Sequence, residues 1–591
     1  MNRFSIRYGI VVLTALLAGH VSSKACTNII VTKGASADGS TLVSYAADSH
    51  WLFGELYLNP AADWKPGSQL TIHEWDSNRY LGEIAQVPHT YKTVGNMNEH
   101  QLIIAETTWG GRLELMDSTA VMDYGSLIYT ALQRAKTARE AIRVIVDLAN
   151  EYGYASEGES FSIADKNEAW VMDLIGKGVE LKDGKNVRKG LVWVARRIPD
   201  GFICAHANQA RIQTFPLNDP ENCLYAEDVI SFAREKGWFS GEDKNFDFSE
   251  AYCPYDFGTV RGCDARVWSA FNRLSGGAFT YLDDAGNEVT RPAEDFLLYA
   301  MGYDLKHGRM PLFIRPAGKV SVKNVADAMR DHYEGTPMDM TQDVGAGGNA
   351  LPYRWRPMTW KYDGETYLNE RAIATQQTGF WFVGQARHYL PDVVGGLLWF
   401  GTDDAATSYL TPIYTNTDEV PNCFKVGNGD LLTYSPTASF WINNRVTNAC
   451  YKAYNLMAPT VVAAADKFEH EQMDGKVAEM DAKALAAYQA ILPKAEKKGL
   501  DRKDWFAPVR KMLTDYSVNT AQTQFENWVK LEELLLVKYI DGNVKAQNED
   551  GSFRHTKHSA GIPAGLTQPG YTGRWKKAVA GDRGEHLQVP E

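Results

Sequence analysis

Cys26 stands where an apolar leader gives way to the β-branched run Thr27-Asn28-Ile29-Ile30-Val31-Thr32. Arg3 and Arg7 supply a positive start, Ile10 to Ala18 an apolar stretch, and Ser23 and Ala25 small residues at −3 and −1 of a cut. That is the pattern of a secretory signal over residues 1–25. A cut after Ala25 leaves a thiol and a free α-amine on one residue, a nucleophile with its own base attached. Lipid attachment at Cys26 fits less well, because it takes an aliphatic residue at −3 and a small one at −2, where Ser23 and Lys24 stand.

The elements around Cys26 must position that thiol. Residues 27–32 read as a strand, Lys33 to Ser40 as a turn, and Thr41 to Ala46 as a second strand antiparallel to the first, with Asp48 directly after it. The hairpin returns Asp48 toward the chain start, within reach of the Cys26 amine and thiol; the competing reading is a turn aspartate. Gln101 to Thr108 is a strong strand that ends in Trp109-Gly110-Gly111-Arg112, where the glycines allow close backbone approach to a ligand or make a tight turn. Helices are predicted over 124–135 and 137–152, and strands over 161–164, 169–173, 191–195 and 201–206. The last of these runs into Ala207-Asn208-Gln209-Ala210-Arg211, so Asn208 could donate to a developing oxyanion. Further helices are predicted near 224–237 and 264–274, the second carrying Arg266.

Composition narrows the function classes. The 591 residues, 44% hydrophobic and 23% charged, suit a globular protein with a large core. The net charge of −12 becomes −15 once Arg3, Arg7 and Lys24 are removed. Such acidity argues against nucleic-acid binding, which needs a basic face. No stretch approaches the ~20 apolar residues of a membrane-spanning helix. Thirteen histidines show no ligand spacing, so no metal and no cofactor is predicted. Of the cysteines other than Cys26, Cys204 reads as a buried free thiol, and Cys253 and Cys263 bracket a short loop that could be bridged. A homo-oligomer is left open.

Together, Cys26-Thr27-Asn28-Ile29-Ile30-Val31, Asp38-Gly39-Ser40-Thr41, Asn98-Glu99-His100, Glu106-Thr107-Thr108-Trp109-Gly110-Gly111-Arg112, Ala207 to Ile212, Arg266-Val267-Trp268 and Leu397 to Ala405 resemble the C69 dipeptidases. These are N-terminal-nucleophile (Ntn) hydrolases related to bile-salt hydrolases and penicillin V acylases. The resemblance implies an α+β fold, a four-layer αββα sandwich, with an added helical C-terminal region. The resemblance covers a core over 26–455; the leader pattern, the amphipathic periodicity and the Gly- and Pro-rich composition add a signal peptide (1–25), helices (456–540) and an extended tail (541–591). The resemblance places the catalytic roles on Cys26, Asp48, Asn208 and Arg266, with Arg261 as the rival arginine, and implies a short peptide as substrate. One position departs from the wider superfamily: the arginine three residues before the aspartate is Tyr45 here, and a phenol supplies no permanent cation beside a thiolate. A backbone N–H near Thr107 stands where the superfamily has a second oxyanion asparagine. Tyr45 and Thr107 are thus the substrate-facing candidates. The alternatives are an amidase or acylase of the same superfamily, or an exported binding protein that keeps the fold without catalysis.

Overall fold

The computed structural model describes residues 26–283, 285–500 and 504–590. The predicted signal peptide lies outside them. The chain opens with the expected antiparallel hairpin, β1 (Asn28–Val31) and β2 (Thr41–Asp48), pairing Ile30 with Val43 and Val31 with Leu42. Then come β3 (Ile103–Trp109), α1 (Tyr124–Arg134), α2 (Ala138–Tyr152), β4 (Gly158–Ala164), β5 (Ala169–Gly176), β6 (Leu191–Arg197) and β7 (Ile203–His206). Asp123 and Thr137 cap the two helices with side-chain oxygens. Near 224–237 the helix is shorter than predicted, Val229–Glu235, because Cys223–Tyr225 pairs as a strand with β6 instead. The later elements of the layers are α3 (Asp264–Ser275), α4 (Val322–Met329), β8 (Thr378–Ala386), β9 (Gly396–Thr402) and β10 (Thr411–Tyr414).

These strands build two sheets. The seven-stranded sheet runs Phe313–Ile314, β7, β1, β2, β8, β9, β10. The eight-stranded sheet runs Cys223–Tyr225, β6, β5, β4, β3 and then three short strands, Met97–Asn98, Thr93–Val94 and Leu58–Asn59. Alternation along the strands explains the stacking. Ile30, Val43 and Tyr45 share one core with Ile103, Ala105 and Val171 between the sheets. Ile29, Val31 and Leu42 face the other way, onto Val267 and Phe271 of α3 and Val325 of α4. Ile104, Phe161 and Trp170 on the opposite sheet meet Ile128, Ile142 and Ile145 of α1 and α2. The chain is thus an α+β protein with helices outside each of two facing sheets.

The C-terminal helices α5 (Ser439–Lys452), α6 (Tyr454–Glu471), α7 (Val477–Lys498) and α8 (Ala507–Lys538) pack on this core. Helix α8 lies along edge strand β10, where the Tyr414 N–H donates to Ser517 Oγ (3.1 Å) and covers an otherwise open edge. Arg330 binds the buried Glu469 of α6 through two bonds of 3.0 and 2.6 Å. No described helix is long and apolar enough to cross a membrane. The segment after Asp541, expected to be extended, is largely exposed but carries a short strand pair, His555–Thr556 with Ser559–Pro563, and the helix α9 (Gly573–Arg583).

All seven cysteines are free thiols, so the bridge expected between Cys253 and Cys263 is not formed. Cys253 is turned to Gln209, whose Nε2 lies 3.3 Å from the sulfur, whereas Cys263 sits at the start of α3. Cys204 is buried as predicted, and burial pushes its thiol up to about 12. Gly111, at φ 61°, makes a tight turn in which a Cβ would strike the Trp109 ring and the Tyr252 carbonyl, whereas a Cβ at Gly110 would meet open space.

Candidate active site

Cys26 lies two residues before β1 and is only 5% exposed. Its thiol donates to Glu106 Oε1 on β3 (3.3 Å) and lies 3.7 Å from the Tyr45 hydroxyl on β2. Tyr45 donates to the same carboxylate oxygen. Its ring is set edge-on against Phe380 and Phe382, with centroids 5.7 and 5.6 Å away. Burial, then the negative charges of Glu106 and Asp48, raise the thiol well above its ordinary value. The sulfur therefore needs a nearby cation or base before it can act as a thiolate.

Arg266 enters from α3 as a buried clamp. Its Nη1 donates to the Cys26 carbonyl (2.6 Å) and to Thr27 Oγ1 (2.8 Å). Its Nη2 donates to the Ala207 carbonyl (3.1 Å) and to Asn208 Oδ1 (2.9 Å). The rival, Arg261, is held in an ion pair by Glu370 and donates to the Met301 carbonyl. Arg266 is thus the arginine that meets the cysteine, and it grips main chain and Asn208.

Asn208 follows β7 with a left-handed backbone, φ 59°, a conformation that asparagine tolerates better than most residues. With Oδ1 taken by Arg266, Nδ2 donates one hydrogen to the Thr108 carbonyl (2.5 Å). The second hydrogen of the amide remains for another acceptor.

Beyond Ile103, the side of β3 away from β4 has no neighbouring strand among the described residues. Asn28 covers part of it: in the orientation that satisfies both ends, its Nδ2 donates to the Glu106 carbonyl and its Oδ1 accepts from the Glu106 N–H, each at 3.1 Å. Strand alternation turns the Thr108 N–H and carbonyl to the same side. Thr107 faces elsewhere. It pairs with Ser160 in the ladder, and its Oγ1 lies 2.7 Å from His206 Nδ1. The expectation of a free N–H near Thr107 therefore moves one residue, to Thr108 beside Asn208.

Asp48 ends β2 with a fully buried side chain. Its Oδ2 accepts from Arg371 Nη2 and its Oδ1 from Thr378 Oγ1, both at 2.6 Å. Burial raises this carboxyl, while Arg371 and Thr378 oppose the rise. The pairing of Thr27 with Ala46, continued by register, sets Ala47 opposite Cys26, with Asp48 the next residue along β2. Arg356 lies near the same aspartate, and burial together with Arg371 lowers its guanidinium to about 10.

Glu106, Thr108 and Arg371 are the site residues that the motif reading missed. Glu106 left one signal, a carboxylate within the apolar run Leu102-Ile103-Ile104-Ala105 and its continuation. Arg371 left none, since it lies 323 residues from Asp48 in sequence.

A buried thiol bonded to a carboxylate, on a cysteine whose carbonyl shares one arginine with an asparagine amide, at the meeting of two sheets, makes a hydrolase-like site. The profile of Peptidase family C69 matches residues 60–467, and the chain belongs to that family. The matched span includes Glu106, Asn208, Arg266 and Arg371, whereas Cys26, Tyr45 and Asp48 precede it. A "Probable dipeptidase" of Latilactobacillus sakei is 24% identical over 502 residues, covering 78% of this chain and 90% of that protein. A "Probable dipeptidase" of Salmonella dublin is 24% identical over 414 residues, covering 66% and 81%. "Dipeptidase A" of Lactobacillus helveticus is 22% identical over 504 residues, covering 79% and 92%.

Proposed function

We propose that this chain is an exported cysteine dipeptidase of the N-terminal-nucleophile kind, activated when its leader is removed after Ala25. The observation that carries the reading is the Arg266 clamp. One guanidinium holds the Cys26 carbonyl and the Asn208 carboxamide, which fixes the cysteine main chain and the amide relative to each other.

Cleavage supplies what the buried thiol lacks. The new α-amine, with a reference pKa of ~7.7–8.0, takes the thiol proton. The sulfur attacks the scissile carbonyl, and the second Asn208 amide hydrogen and the Thr108 N–H receive the oxyanion. The resulting ammonium gives its proton to the leaving amine as the C–N bond breaks and a thioester remains. Water then adds to the thioester with the α-amine as base, releasing the acid and restoring the thiol. Asp48, fixed by Arg371 and Thr378, orients the α-amine. No cofactor enters these steps. The dipeptide substrate is supported by the family and by the printed names of the relatives.

A panel of dipeptides and N-acyl amides tests the reading against an acylase. Dipeptide turnover that disappears in Cys26→Ala is expected. Absence of any dipeptide turnover by the processed protein would sink it.

A further inference from the structure

Glu106 is a buried group that the mechanism above does not use. Its side chain is almost fully enclosed, and its partners are the Cys26 thiol at 3.3 Å, the Tyr45 hydroxyl, and Thr108 Oγ1 at 3.4 Å. All three are neutral donors. Among the described residues Glu106 forms no ion pair with Lys, Arg or His. A carboxylate taken out of water without a counter-charge is costly, and this one also opposes the thiolate beside it. Tyr45 accentuates this. A phenol donates a hydrogen bond without cancelling the charge, as an arginine at that position would.

We propose that Glu106 binds the α-ammonium of an unblocked substrate, so that the enzyme cleaves after an amino-terminal residue. This rests on the thiol-peptidase reading above and names its substrate class. The covalent geometry of an amino-terminal residue fits. Its nitrogen and carbonyl carbon are two bonds apart, ~1.46 and ~1.52 Å at an angle of ~111°, hence about 2.5 Å. An attacking sulfur stands about 3–3.5 Å from that carbon. In the orientation that turns the ammonium toward β3, it comes within ion-pair reach of a carboxylate that is itself 3.3 Å from the sulfur. An N-acyl substrate offers no charge there and leaves Glu106 buried and unpaired. That is the kind of mismatch by which a polar site rejects an analogue.

The same carboxylate could instead serve the α-ammonium of Cys26 itself, and the test separates the two. kcat/KM is measured for one dipeptide, its N-acetyl form and its des-amino analogue, with the processed wild type and with Glu106→Gln. The wild type is expected to favour the free dipeptide over both analogues by about 100-fold or more. In Glu106→Gln that preference should fall to within about tenfold, the loss being confined to the amine-bearing substrate. An equal loss on all three substrates overturns the proposal in favour of a role toward Cys26. Should Glu106→Gln not fold, the wild-type comparison decides alone: cleavage of the N-acetyl form as fast as the free dipeptide overturns the proposal and leaves the thiol mechanism standing. Failure of the wild type on all three removes the functional reading, and this proposal with it.

Discussion

Arg266 is joined to Asn208 by a 2.9 Å hydrogen bond, and the same guanidinium holds the Cys26 carbonyl at 2.6 Å. The Cys26 main chain and the Asn208 amide are therefore positioned by one rigid fork. A lysine has a point charge on a flexible stem and cannot span both partners. Arg266→Lys is expected to lower kcat by ~10²-fold with KM changed only a few-fold, the signature of lost alignment with binding retained. Equal changes in kcat and KM would argue for direct substrate contact.

Asn208 separates backbone from side chain cleanly. Glycine accepts its φ of 59° without strain, whereas alanine does not. Asn208→Gly should keep the melting temperature within a few degrees yet lose ~10²–10³-fold in kcat, the magnitude of one oxyanion donor. Asn208→Ala should lose both. Activity retained in the glycine variant would remove Asn208 from the oxyanion site.

The Asp48–Arg371 pair is buried on both sides, with side chains 0% and 3% exposed. Removing one partner strands the other charge in the core, so Asp48→Ala is expected to destabilise the fold by about 3–5 kcal/mol. Replacing both members with apolar residues of similar size should cost much less. Urea denaturation of the two single variants and the double variant measures the coupling, and additive losses would contradict it.

His206 bridges the two sheets, with Thr107 Oγ1 and Ser162 Oγ each 2.7 Å from a ring nitrogen. Burial lowers its pKa to about 3, so the folded protein keeps the ring neutral while the unfolded chain protonates it below ~6.5. Between those values the unfolded state binds more protons, and stability from this residue is lost as pH falls from about 6.5 toward 3. Asp173, raised to about 6 by burial, acts with the opposite sign, losing stability as pH rises from ~3.9 toward that value. The acid-side slope of wild type minus His206→Gln isolates the histidine, and identical slopes would show that it does not titrate in this window.

Much of this arrangement was legible in sequence because it is local. The hairpin from Cys26 to Asp48 follows from β-branched runs around a glycine-containing turn, and α2 from apolar residues at helical spacing. Asn208 and Arg266 were readable as motif residues, although only their contacts reveal that one holds the other. Glu106 stood out only as a carboxylate at the end of an apolar run, with nothing in the sequence to show what it meets. Only the crossing of the second sheet brings Tyr45 and Cys26 against that carboxylate. Arg371 depends on a chain reversal no spacing rule encodes. The Cys253–Cys263 bridge failed because closeness in sequence does not fix side-chain direction: Cys253 faces Gln209.

In the proposed mechanism a free α-amine on Cys26 makes the enzyme. Intact-mass and amino-terminal analysis of active protein, before and after a limiting dose of iodoacetamide, tests it most directly. The expected result is a chain beginning at Cys26 with an unmodified amine, and one alkylation at that residue that abolishes turnover. An active chain that retains Ala25, starts beyond Cys26, or carries an acylated Cys26 amine would contradict it.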